Sequence, residues 1–206
     1  TNNSLNCNNA AFKFDLTLLR ARIQTNSVAL NQPGLNRVCI PEKIVFQNKS
    51  TGGTYYQWQF GDGGSLEKID TARIIYQYMN PGVYKVKLKV IDLGTCLGVD
   101  STSTTIYVYK ATGFAGDDQD MCFDAGTQLI AGGGTQYSWS TSEGIISTSA
   151  TPRVNPEKDT PYYVSITDQN GCIKSDTVKV SVTPGIPLDF TYSKIYDCYS
   201  RPQLQV

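Results

Sequence analysis

The 206-residue chain carries 18 Lys and Arg against 18 Asp and Glu, and no His. Balanced charge leaves no electrostatic footprint for nucleic acid or an anionic membrane, and a chain without His lacks the usual general base and the Ser-His or Cys-His nucleophile pairs. Plentiful Tyr, Thr, Ser, Gly and Val, with no strong amphipathic helix pattern and no apolar run long enough for a bilayer, point to β structure without membrane insertion in this segment.

The opening Thr-Asn-Asn-Ser has no signal-peptide pattern, so the stretch is expected to be mature or internal. Phe12, Phe14, Leu16 and Leu18 alternate with Lys13, Asp15 and Thr17, the period of a strand. A lone strand cannot bury its apolar face. It either pairs within the following domain or closes a preceding one. The second reading is preferred because a Cys followed by a final strand recurs. Cys96 precedes Thr105-Ile106-Tyr107-Val108-Tyr109, and Cys172 precedes the strand Asp176 to Val182, as Cys7 precedes the Phe12 strand. Residues 1–26 are therefore expected to be the C-terminal strand of an upstream domain.

Residues 27–110 read as a complete unit. Ile44, Phe46 and Asn48 run into the turn Ser50-Thr51-Gly52-Gly53, and then comes Trp58-Gln59-Phe60-Gly61-Asp62-Gly63-Gly64. Trp58 and Phe60 leave one face of a strand. Gly61 and Gly63 permit positive φ in the turn that follows, and Asp62 can accept backbone N–H groups there. A stretch with Ile74 and Tyr76 leads to Tyr78 and the turn Asn80-Pro81-Gly82, after which Tyr84, Val86, Leu88 and Val90 alternate with Lys85, Lys87 and Lys89. The apolar set should face inward. The lysine stripe is either a solvated strand face that discourages edge aggregation or a polyanion site, and the first reading is preferred.

This combination resembles the PKD domain, whose two pieces run roughly W-x-F-G-D-G and Y-x-x-P-G-x-Y-x-V-x-L-x-V. Gln59 and Gln77 stand where the family usually has Asp and His. The resemblance implies an immunoglobulin-like β-sandwich. Trp58 and Phe60 would pin its core, Gly61, Asp62 and Gly63 would form a corner, and Pro81, Gly82 and Tyr84 would start the next strand.

Residues 111–184 repeat the scheme. Tyr137-Ser138-Trp139-Ser140 follows a loose turn at Gly132-Gly133-Gly134 and takes the place of the Trp58 strand. Tyr162, Val164 and Ile166 take the place of the Tyr84 set. Asp168-Gln169-Asn170-Gly171-Cys172 reads as a hairpin-type turn, and Val178, Val180 and Val182 close the unit. The succession A-G-x-D-Q-x-x-C from Ala115 to Cys122, then G-G-x-x-Y-x-W, T-x-Y-x-V and D-x-N-G-C, resembles the Ig-like repeats of large secreted surface proteins of the Bacteroidetes. Those repeats occur beside PKD domains in proteins tied to gliding motility and type IX secretion. Residues 185–206 mirror the start of the 27–110 unit, with Leu188 to Tyr192 leading to Cys198 as Val28-Ala29-Leu30 lead to Cys39. They are expected to begin a further PKD-like domain. The expected architecture is all-β, a string of tandem immunoglobulin-like (PKD-type) β-sandwiches with short, stiff Pro/Gly links.

None of the six cysteines is spaced C-x-x-C, so zinc and thioredoxin readings are weak, and disulfides in an oxidising compartment fit better. Cys39 lies before the first core strand and Cys96 before the last, so a Cys39–Cys96 bridge is expected, with Cys122–Cys172 as its counterpart. Cys7 and Cys198 would pair with cysteines outside the segment.

No acid pair or triad stands out. Asp62 reads as a turn residue rather than a base. Asp117, Asp118 and Asp120 form an acidic cluster whose spacing matches no known calcium loop; a solvated linker is preferred over a Ca²⁺ site, and no other cofactor is implied. By the resemblance, O-glycosylation at Asp-Ser/Thr motifs would fall on Thr71, Ser101 and Thr177. The resulting expectation is a non-catalytic stalk or adhesin segment of a large extracellular bacterial surface protein, associated with type IX secretion or gliding. Its partners would be neighbouring domains, surface polysaccharide or other surface proteins. The alternatives are a spacer or glycan-binding accessory region of a secreted polysaccharidase or protease, and a filament-forming subunit that exchanges strands.

Overall fold

A computed structural model describes residues 19–27, 36–92 and 98–185, and these divide into two units between Lys110 and Ala111. Every regular element in them is a strand. Each unit is a β-sandwich.

Unit 1 holds β1 (Ile23–Ser27), β2 (Arg37–Ile40), β3 (Ile44–Asn48), β4 (Tyr55–Gln59), β5 (Ser65–Lys68), β6 (Ile74–Tyr76), β7 (Gly82–Ile91) and β8 (Val99–Lys110). One sheet has the order β1-β3-β6 and the other β2-β8-β7-β4-β5. Alternation decides the faces: Val86, Leu88 and Val90 of β7 are buried while Lys85, Lys87 and Lys89 are exposed. The core gathers Ile44 and Phe46 from the small sheet against Trp58, Leu88, Ile106 and Val108 from the large one.

Residues 19–26 correct the expected boundary. They belong to unit 1 and not to an upstream domain. Leu19 and Ala21 lie in its core, and β1 runs antiparallel to β3 from Ile23 opposite Asn48 to Ser27 opposite Ile44. The reason is that Ile44 and Phe46 need a covered edge, which the 19–27 segment supplies. The alternating stretch from Phe12 to Leu18 lies outside the described residues, as do Cys7, Val28 to Leu30, Cys96 and residues 186–206 with Cys198.

Unit 2 holds β9 (Phe114–Ala115), β10 (Gln119–Cys122), β11 (Thr127–Gln128), β12 (Ala131–Gly132), β13 (Gln136–Thr141), β14 (Gly144–Ser147), β15 (Arg153–Val154), β16 (Thr160–Thr167) and β17 (Ile173–Thr183). Its main sheet is β10-β17-β16-β13-β14, faced by the short pairs β11-β15 and β12-β9. Trp139, Leu129, Val164, Ile166, Val178 and Val180 form its core.

The two units share one device. In unit 1, β2 lies parallel on β8, with Cys39 opposite Tyr109. In unit 2, β10 lies parallel on β17, with Cys122 opposite Thr183. The glycines at 132–134 are not a loose turn. A Cβ on Gly133, at φ 76°, would stand 2.6 Å from the Thr112 carbonyl oxygen, and one on Gly134 would stand 2.4 Å from Ile166. They let the incoming segment pack directly on the hairpin.

Candidate functional site

Three places bring chemically interesting side chains together: the aromatic corner of unit 1, the outward face of each large sheet, and one aspartate near the start of each last strand.

At the corner, Trp58 and Phe60 are both 1 % exposed and their rings stack at 6.4 Å. Phe60 stacks on Tyr76 at 3.8 Å, and Tyr78 stacks on Tyr84 at 4.4 Å. The turn is closed by Phe60 N–H donating to Gly64 O, while Gly64 N–H donates to Asp62 Oδ1. Gly61, at φ 92°, is obligatory, since a Cβ would stand 2.9 Å from the Lys85 backbone nitrogen. Tyr76 donates its hydroxyl to the Asp62 carboxylate at 2.9 Å. Burial, with the Asp62 carboxylate behind it, pushes the Tyr76 phenol up to about 12. Burial, again reinforced by Asp62, also raises Tyr78, which donates its hydroxyl to Phe60 O at 2.9 Å. Asp62 thus works as the anchor of a turn and of a tyrosine. Tyr84 donates to Asn80 O, closing the turn that carries Pro81 and Gly82. Tyr78→Phe removes the hydroxyl that donates to the buried Phe60 carbonyl, an expected loss of about 1–2 kcal/mol. A thermal melt should fall by several degrees; an unchanged melting temperature would remove the hydroxyl from the stability account.

The outward face of the large sheet is ordered by register. In unit 1, Gln57 faces Lys89 and Lys89 faces Ser101, while Gln59 faces Lys87 and Lys87 faces Ser103. Gln57 also donates to Glu67 Oε1 at 3.0 Å. A shallow depression of about 220 Å³ lies over Gln57, Gln59, Lys87, Lys89, Val99 and Ser101. The lysines are interleaved with amides and hydroxyls on a flat face. In unit 2 the middle of the same face carries hydroxyls where unit 1 has its lysine row. Ser138, Ser165 and Ser175 form one row, and Ser140, Tyr163 and Thr177 the next, under a depression of about 440 Å³. Tyr163 is 47 % exposed in the middle of them.

The aspartates were read from the sequence only as parts of glycosylation motifs, and the structure gives them a second role. Ala21 N–H donates to Asp100 Oδ2 at 2.7 Å, and Ser101 N–H donates to Asp100 Oδ1. Ala115 N–H donates to Asp176 Oδ2 at 3.1 Å, and Thr177 N–H donates to Asp176 Oδ1. In both units one carboxylate clamps the incoming first strand onto the last strand. The two N–H donors, Ala115 first, hold the Asp176 carboxyl below its ordinary value. The recurrence of Asp-Ser/Thr early in both last strands was the available signal. Thr71, Ser101 and Thr177 themselves are exposed, and Asp70 accepts the Ala72 N–H.

Asp117, Asp118 and Asp120 are not brought together. Asp118 accepts the Lys179 N–H at 2.7 Å and so fastens the approach to β10 onto β17. Among the described residues, no group of three or more His, Cys, Asp or Glu is placed to hold a metal ion, and no helix is long and apolar enough to cross a membrane.

Cys39, Cys122 and Cys172 are each disulfide-bonded. The expected Cys122–Cys172 bridge is ruled out by register. Cys122 lies opposite Thr183, the last residue of β17, whereas Cys172 precedes its first residue, Ile173. Eleven residues of strand separate the two levels, about 35 Å at ~3.3 Å per residue, against the ~7 Å that a disulfide spans between Cα atoms. The Cys39–Cys96 expectation involves a residue outside the described set.

Comparison with known proteins gives three kinds of result. No curated protein matches the chain. Among solved structures, the chain is similar to the three N-terminal domains of the Hoc outer capsid protein of bacteriophage RB49, at 16 % identity and a TM-score of 0.38, over 80 % of this chain and 59 % of that one. It is also similar to the fibronectin(III)-like modules of Clostridium thermocellum CbhA, at 12 % identity and a TM-score of 0.38, over 83 % of this chain and all of that one. A carbohydrate-binding module of the β-sandwich superfamily matches at 24 % identity and a TM-score of 0.36, over 71 % of this chain and 54 % of that one. The chain therefore spans about three fifths of the phage protein segment that it resembles. The family match is to the PKD domain and falls within unit 1, over the segment that carries the Trp58 strand, the Gly61 corner and the Tyr84 strand. Residues 36–108 of this all-β chain match the PKD domain model.

Proposed function

We propose that the chain is a non-catalytic segment of a long extracellular surface protein, serving as stalk and adhesive module. The observation that carries this reading is the repetition of one building plan. Each unit has its second strand docked parallel on its last, an aspartate clamp, a single buried tryptophan and disulfide-bonded cysteine, and one plan repeated along a chain suits an extended array. Disulfide bonding supports an oxidising, extracytoplasmic setting. The narrower assignment, to a bacterial surface protein exported by the type IX system and moved in gliding, rests on the resemblance of the Ala115–Cys122 and Asp168–Cys172 segments to Bacteroidetes repeats. Antibodies raised against this chain should label intact cells of the source organism. Label confined to permeabilised cells would overturn the surface reading, and surface display undiminished by loss of type IX export would overturn the narrower one.

A second reading, glycan capture by an accessory module, is favoured by Tyr163. An exposed ring flanked in register by Ser140 and Thr177 on a flat hydroxyl-lined face can stack on a sugar while hydroxyls hydrogen-bond its rim. On this reading a polysaccharide array binds the chain, and Tyr163→Ala weakens that binding by about tenfold, equivalent to ~1.4 kcal/mol. Equal binding by the variant, or none by the parent chain, would sink it.

A further inference from the structure

The sheet order leaves the lysine stripe of β7 without an edge to guard. β7 is the third of five strands, flanked by β8 and β4, and Gly61 lies against the Lys85 backbone just past the end of β4. Lys85, Lys87 and Lys89 therefore stand in the middle of a flat face, two residues apart and so about 7 Å from one to the next. Arg37 of β2 joins them. It is exposed beside the buried Val38 and lies opposite Tyr107, which in turn lies opposite Val83, two residues before Lys85. Against these four cations the same rows hold one acid, Glu67, on the edge strand β5. That acid is already engaged. It accepts from Gln57 Nε2 at 3.0 Å, and the Tyr55 hydroxyl, with Gln57 behind it, holds its carboxyl below the ordinary value. Other acids of unit 1 are used elsewhere, Asp62 on Tyr76 and Gly64, and Asp100 on Ala21 and Ser101. None of the four cations is ion-paired with a described residue. A chain of zero net charge thus concentrates unopposed positive charge on one sheet face.

We propose that this face of unit 1 binds an acidic polysaccharide, a linear chain bearing carboxylates or sulfates, laid along β7. The anions of the polymer meet the ammonium groups of Lys85, Lys87 and Lys89. Each ammonium is a compact charge with three donors on a flexible stem, so it follows anions whose spacing does not match the strand. The sugar hydroxyls meet the side chains in register on either flank, Ser101 and Ser103 on β8 and Gln57 and Gln59 on β4. The shallow depression over Gln57, Gln59, Lys87, Lys89 and Ser101 is open enough for a chain to pass along it. A nucleic acid fits less well, because the lysine rows hold no aromatic ring on which a base could stack. The proposal rests on the adhesive reading given above and names a ligand class for it. Its residues are separate from the Tyr163 face of unit 2, where hydroxyls replace the lysine row and an uncharged sugar would suit.

The test uses the full chain against immobilised polygalacturonate, dextran sulfate and uncharged dextran, with double-stranded DNA as the alternative polyanion. The expected result is binding to an acidic polysaccharide, weaker binding to DNA and to dextran, and affinity that falls as salt rises, since the face is exposed. Lys85→Gln, Lys87→Gln and Lys89→Gln combined should weaken the binding by about tenfold, because each exposed charge contact contributes little alone. Lys43→Gln, Lys49→Gln and Lys158→Gln combined remove as much charge from exposed positions outside these rows and should bind as the parent does. Equal losses in the two variants would show attraction to overall charge and overturn the proposal. So would DNA bound as tightly as the polysaccharides, or no binding to either acidic polymer. Lysine acetylation of the parent chain, mapped by mass spectrometry, keeps the test independent of how the variants fold. Bound polysaccharide should shield Lys85, Lys87 and Lys89 and leave Lys43 reactive; a stripe acetylated as fast with the polymer as without it sinks the idea. Surface label on intact cells without polysaccharide binding would refute this proposal and leave the surface reading standing.

Discussion

Trp58→Ala is expected to remove about 3–5 kcal/mol from unit 1, a large part of the stability that a domain of this size holds. The indole is 1 % exposed, faces Leu88 on one neighbouring strand and Leu66 on the other, and lies 5.9 Å from the Phe46 ring across the sandwich. Few atoms nearby can collapse into the space, because Phe46 and Phe60 are fixed by their own ring contacts at 5.6 Å. Both the lost transfer energy and the cavity therefore count. The chain has two tryptophans, one in each unit, so the variant leaves Trp139 as a fluorescence probe of unit 2 alone, while near-ultraviolet tyrosine dichroism, to which both units contribute, reports unit 1 as the transition that Trp139 does not follow. Urea melts should move the tyrosine transition down by about 1–3 M. A shift worth less than ~1 kcal/mol would mean that Trp58 is not the centre of the core.

Asp176→Ala comes next, with an expected loss of about 2–3 kcal/mol from unit 2, since two backbone N–H groups lose a charged acceptor. The partner lost by Ala115 matters most, because it fastens the first strand to the last. Acid should copy the mutation. The Asp176 carboxyl lies below its ordinary value of 3.8, chiefly through the Ala115 N–H, so its contribution is complete above that value and drains away as pH falls through the lower folded-state value. Asp159, held down chiefly by the Val182 N–H, has the same sign. Unit 2 of the parent chain should therefore lose stability on acidification below about pH 4, and Asp176→Ala should flatten that part of the profile. A variant with an undiminished acid slope would show that the clamp does not carry the effect.

Much of the fold was legible because alternation is a local property. The Lys85–Lys89 stripe and the buried Val86, Leu88 and Val90 follow from a period of two, and the Gly61 corner follows from the cost of a Cβ at positive φ. The boundary near residue 26 was not legible. Which sheet edge a strand covers is decided by a partner far along the chain, here Asp100, which takes the Ala21 N–H from 79 residues away. Cysteine pairing failed for a related reason. Order along the sequence suggested that the first and last strands bring Cys122 and Cys172 together. Those strands are parallel, however, so Cys122, the last residue of β10, lies level with the end of β17, whereas Cys172 precedes its start. The glycines at 132–134 looked slack because nothing local reveals the Thr112 carbonyl that they admit. On the large sheet faces, alternation predicted which side chains point outward, but only register assembled Ser140, Tyr163 and Thr177 into one row.

Parallel docking also sets how each sandwich meets a pull. Tension on the two ends of a unit would draw β2 and β8, or β10 and β17, past one another along their length. The four register pairs in each dock are then loaded together rather than opened one after another from an end. The aspartate clamp sits upstream of this seam, at Ala21 or Ala115, and takes strain before it. A seam loaded in shear yields at higher force than the same bonds unzipped, so resistance to tension comes from strand direction more than from the number of hydrogen bonds.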